Sequence, residues 1–151
     1  MTSDGIDDVD WDAVHELALA IANASVVDAG QAERETERLM ELLGRLESRY
    51  GPRPSLLATR ADYAASWPES IALLKRAFEL AQEHRDTRNL TYVSSSLAQR
   101  FIEDARDPVQ GAYWLGQLEA ALGQFGDRSD IEELMSLRTG LEKLRNELEN
   151  E

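Results

Sequence analysis

Apolar residues recur along this chain with helical spacing, and nowhere do they alternate as a half-buried strand requires. Trp11, Val14, Leu17, Ala18, Ile21 and Ala22 share one face of a first predicted helix. A break at 26–30 leads into a second stripe of Leu39, Leu42, Leu43, Leu46 and Tyr50. Gly51 is placed to cap that helix, and Pro52 and Pro54 cannot continue its ladder. Ser55 can cap a third helix over 56–65, and Pro68 suits the first turn of a fourth carrying Ile71, Leu74, Ala77, Phe78 and Ala81. A fifth helix over 88–104 carries Leu90, Val93, Leu97, Phe101 and Ile102. A sixth begins at Pro108 and carries Leu115, Leu118, Leu122 and Phe125. Ser129 or Asp130 is the candidate cap of a last helix ending near residue 147.

A forty-residue step runs through this pattern. "LALAI" at 17–21, "LATRA" at 57–61 and "LAQRF" at 97–101 each set Leu-Ala before a third packing residue. Arg60/Arg100, Ala65/Ala105, Pro68/Pro108 and Ala72/Ala112 fall in the same frame. Leucines and prolines in one register argue against coincidence in an alanine-rich chain. The expected fold is therefore an all-α, right-handed array of three antiparallel hairpins at about 9–50, 55–85 and 88–125, closed by a capping helix at 129–147. Together they make a single domain over 9–147, with a flexible acidic segment at 1–8, where Asp8 or Asp10 could cap the first helix, and a frayed end at 148–151.

At these residues the chain resembles the tetratricopeptide (TPR) repeat family. Leu17-Ala18-Ile21, Leu57-Ala58-Ala61 and Leu97-Ala98-Phe101 match its first-helix pattern. Ser70-Leu74-Ala77 matches the second-helix pattern; Gly111 and Leu115 do so too, with Leu118 in the last slot. The match covers most of residues 11–126, with three departures. The period is forty rather than about 34, the consensus tryptophan and glycine are missing from their slots, and Ser70 to Gly111 spans forty-one. A HEAT-type array is the rival reading. The resemblance implies a concave groove lined by first helices, here His15, Leu19 and Asn23, then Thr59, Asp62 and Tyr63, then Tyr92, Gln99 and Glu103. Leu19 and Tyr92 have the alternative of packing inward.

Charge narrows the partner class. A net charge of −13 repels nucleic acid and anionic lipid and favours a basic or neutral protein segment. No run of residues is apolar enough to cross a bilayer and no signal peptide is visible, so a cytoplasmic protein is expected. The chain has no cysteine, which removes disulfides and thiolate chemistry. Nor does it carry phosphate-loop, dinucleotide, zinc-protease or EF-hand spacing, so no cofactor or metal is expected. Of the two histidines, His15 reads as a surface or groove residue, and His84 suits a helix carbonyl end. Glu83/Asp86, Asp104/Asp107 and Asp127/Asp130 sit at predicted helix ends, where carboxylates cap backbone N–H groups. Ser94, Ser95 and Ser96 read as small residues for close helix packing.

Leu134, Leu137, Leu141, Leu144 and Leu148 alternate steps of three and four, the seam of a short coiled coil. A cap on the last hairpin is the favoured reading of this stripe and self-association the alternative, which favours a monomer over a homodimer. The function expected is a non-enzymatic protein–protein interaction module of the adaptor type. An acidic inhibitor or immunity-type protein covering a basic target is the alternative, and a small helical enzyme ranks below both.

Overall fold

The computed structural model describes residues 1–123 and 126–151; the expected core role of Phe125 lies outside the described residues. It is all-helical, with α1 Asp8–Ser25, α2 Ala29–Tyr50, α3 Pro54–Asp62, α4 Trp67–Glu83, α5 Thr87–Gln99, a π turn at Arg100–Asp104, α6 Pro108–Leu122 and α7 Arg128–Glu149. Among the described residues no helix is long and apolar enough to cross a membrane. The chain forms two compact units, Met1–Ala77 and Phe78–Glu151, and the division falls inside α4.

Unit 1 is built on the pairing of α1 with α2. Val14 and Ile21 of α1 meet Leu39, Leu43 and Leu46 of α2, and Leu56 of α3 joins them. Ile6 belongs to the same cluster and is fully buried, so the segment expected to be flexible is folded onto the core. Its backbone N–H donates to the Thr2 hydroxyl at 2.8 Å, and Gly5 turns the chain with φ +92°. Asp4 then accepts from the Ser55 backbone N–H at 2.7 Å. This bond corrects the expected capping of α3. Helix α3 starts at Pro54, Ser55 lies inside it, and a carboxylate from the N-terminal segment satisfies the Ser55 N–H, which has no intrahelical partner.

Asp7, rather than Asp8 or Asp10, caps α1 by accepting from the Asp10 backbone N–H. That hydrogen bond, assisted by Tyr50 and Arg49 against the opposing effect of burial, holds the Asp7 carboxyl below its ordinary range. A depressed folded-state value gives stability that is present above the unfolded value. It is lost as pH falls through the folded one, so the window lies below about pH 4. Tyr50 donates to Asp10 at 2.6 Å, which raises its phenol, and that contribution is lost only above about pH 10. Asp7→Asn keeps a capping oxygen and removes the charge. Denaturant midpoints of this variant and the parent should differ by a constant amount at neutral pH and converge in the acid window.

In unit 2, α5 pairs with α6, and α7 packs on α5, α6 and the π turn. Val93, Leu97, Phe101, Ile102, Trp114, Leu115 and Leu118 are buried there. So are Leu134, Leu137, Leu141 and Leu144, with Leu148 half-buried. The leucine seam of α7 thus packs within its own unit. Asp127 caps α7, in place of Ser129 or Asp130, by accepting from the Asp130 backbone N–H. Asp86 and Asp107 cap α5 and α6. Each follows an arginine in the left-handed region, Arg85 at φ 52° and Arg106 at φ 51°, so one turn chemistry serves both junctions.

The repeated residues occupy matching places within each unit. Leu57 and Ala58 on α3 are buried, as are Leu97 and Ala98 on α5. Helices α4 and α6 begin at Trp67 and Pro108, forty-one positions apart, the same spacing as Ser70 to Gly111. The stretch between Leu97 and Pro108 contains the π turn.

Candidate functional site

Helix α5 presents two faces of different chemistry. Val93, Leu97 and Ala98 go to the core, while Thr87, Arg88, Thr91, Tyr92, Ser95 and Ser96 recur at helical spacing along another side. That polar side forms one wall of an open groove of about 730 Å³ in unit 2. Ala121 and Leu122 at the end of α6 also line it, with Gly126 and Asp127 just before α7 and Asp130 and Glu133 on α7. The groove therefore offers four aliphatic hydroxyls, a tyrosine, three carboxylates and one guanidinium.

The charges are not equivalent. Asp127 is engaged with the first turn of α7. Asp130 and Glu133 form no ion pair among the described residues, whereas carboxylates elsewhere on unit 2 do. Glu119 pairs with Arg138, Glu147 with Arg106, and Glu132 with Arg128. Ser95 is 5% exposed, and its hydroxyl makes no hydrogen bond among the described residues although it lines the groove. Its neighbour Ser94 is fully buried and donates to the Leu90 carbonyl at 2.6 Å, as a serine inside a helix often does. Ser94 and Ser95 are both buried, as small packing residues are, while Ser96 is half-buried and lines the groove.

The residues expected to line a concave groove fall into separate groups. His15, Leu19 and Asn23 lie on one exposed face of α1, with Leu19 at 63% exposure and the Trp11 ring 5.3 Å from that of His15. Thr59 is half-buried and donates to the Ser55 carbonyl at 2.8 Å. Asp62 is exposed. Tyr63 packs against the core of unit 1, and burial, reinforced by Asp62, pushes its phenol up. Its ring is thus occupied by packing rather than offered as a contact surface. In unit 2, Gln99 and Glu103 are exposed and bond to each other at 3.1 Å, away from the groove lining. Tyr92 is half exposed and lines it.

Of the residues expected to line a concave groove, Tyr92 belongs to the lining of this one. Thr87, Thr91 and Ser95, at steps of four, were a readable signal, a polar stripe beside an apolar one on the same helix. Asp130 and Glu133 carried no such signal, because only the packing of α7 brings them opposite α5. Comparison with family models, curated proteins and solved structures gave no match to this chain.

Proposed function

We propose that this chain is a non-enzymatic protein–protein interaction module, built as a right-handed TPR-like array and binding a basic or neutral protein segment. The observation that carries the reading is the unit 2 groove, lined by a half-exposed tyrosine and by Asp130 and Glu133, which form no ion pair among the described residues. Aromatic anchors beside polar groups are the usual makings of a recognition surface. The array reading is supported by the buried Leu-Ala pairs of α3 and α5, set forty residues apart. The net charge of −13 favours cationic partners and speeds their approach.

Calorimetric titration with blocked basic, neutral and acidic peptides of equal length tests this. Saturable heat is expected from the basic or neutral peptide and none from the acidic one. Saturable binding of the acidic peptide alone would reverse the reading. The same charge also supports an acidic inhibitor that covers a basic surface. For that function, association with a cationic target should slow steeply between low and physiological salt, more than for a groove-bound segment.

A further inference from the structure

We propose that the groove between α5 and α7 is a receptor for an arginine side chain of a partner protein's segment. The inference rests on the interaction-module reading and assigns its anchor. Three observations converge. The lining carries Asp127, Asp130 and Glu133 against the single cation Arg88, so its net charge is negative. Asp130 and Glu133 are without ion-pair partners among the described residues. Ser95 is nine-tenths buried, reaches the groove, and has a hydroxyl that nothing among the described residues engages.

An anion is the alternative ligand at the start of a helix, and this helix start does not suit one. Asp127 already accepts from the Asp130 N–H, and two further carboxylates stand within the next two turns of α7. A cation of matching shape fits instead. A guanidinium has only donors, arranged as a planar fork, and this lining supplies carboxylate and hydroxyl acceptors. Its flat face can lie against the half-exposed Tyr92 ring, where a compact ammonium fits less well. The volume of about 730 Å³ exceeds what one side chain fills and falls in the range of roughly 300–1,000 Å³ typical of ligand pockets. Flanking residues of a peptide therefore enter with the arginine, and the open form of the groove admits a chain rather than an isolated small molecule.

The test is an amide-resolved NMR titration of the intact chain with the blocked peptide acetyl-Gly-Arg-Gly-Arg-Gly-amide. A second peptide carries citrulline for both arginines, keeping the shape and losing the charge. The expected result is saturable shifts confined to Thr87–Ser96 and Asp127–Glu133, with the citrulline peptide at least about tenfold weaker. Asp130→Asn combined with Glu133→Gln should erase that difference, and Ser95→Ala should weaken arginine binding by about threefold to tenfold. Unchanged amide spectra of the free variants confirm that they are folded. Equal binding of both peptides in the groove overturns the arginine receptor and leaves the interaction module standing. Arginine-dependent shifts scattered over the acidic surface without saturation overturn it as well. No saturable shift from either peptide anywhere on the chain overturns both.

Discussion

Replacing Ile6 by alanine should lower the stability of the protein by about 2–5 kcal/mol, the usual cost of truncating a fully buried aliphatic side chain. Ile6 is fully buried in one cluster with Val14, Ile21, Leu39, Leu43, Leu46 and Leu56, so truncation leaves a cavity in that core. The segment is also tied at both ends. Thr2 and Ile6 bond to one another, and Asp4 holds the first turn of α3. Val9, three residues on and 80% exposed, is the internal control. Val9→Ala should change stability by no more than about 0.5 kcal/mol, as surface substitutions generally do. Chemical denaturation of both variants decides the matter. An Ile6→Ala midpoint equal to that of Val9→Ala would mean that the N-terminal segment is not part of the core.

The second large effect concerns the sign of a glycine substitution. Both Gly111 and Gly116 lie within α6, and inside a helix alanine is favoured over glycine by about 1 kcal/mol. Gly116 has open space around it, since a Cβ there would meet nothing within 4 Å. Gly116→Ala should therefore stabilise by up to about 1 kcal/mol. At Gly111 the same methyl would stand 2.7 Å from Cγ1 of Ile102 and 3.6 Å from Leu141. Ile102 sits in the π turn and is 5% exposed, so it has little room to retreat. Overpacking of this kind costs about 1–3 kcal/mol and outweighs the helical gain. Gly111→Ala should thus destabilise and Gly116→Ala stabilise. Thermal melts of the pair check it, and two shifts of the same sign would show that α6 does not approach the π turn as closely as described.

The helices were legible because burial imposes a period, and Leu39, Leu43 and Leu46 announce one face wherever the chain is read. Ile6 was not legible, since a lone apolar residue among Asp4, Asp7 and Asp8 has no period to belong to. Capping was legible as chemistry but not as position. The candidates were Asp8 or Asp10 for α1 and Ser129 or Asp130 for α7, yet geometry chose Asp7 and Asp127, each earlier in the chain. Of the groove, Tyr92 was within reach of sequence reasoning and Ser95 was assigned to packing. The difference between Ser94 and Ser95 is one helical step of about 100°, which turns one hydroxyl to its own backbone and leaves the other, still buried, in the lining of the groove.

The π turn at Arg100–Asp104 also bears on how chains built on this plan can differ in length. A residue added between two packing contacts is usually absorbed by a loop. Here the helix itself widens by one hydrogen-bond step, with the Ala105 N–H reaching the Arg100 carbonyl. Leu97 and Gly111 both remain buried on either side of it. In an alignment of such units, the gap that is physically correct then falls inside a helix, where gaps are least expected. Sequence spacing and structural equivalence part company at that turn, and units alike in their contacts can look unrelated when compared residue by residue.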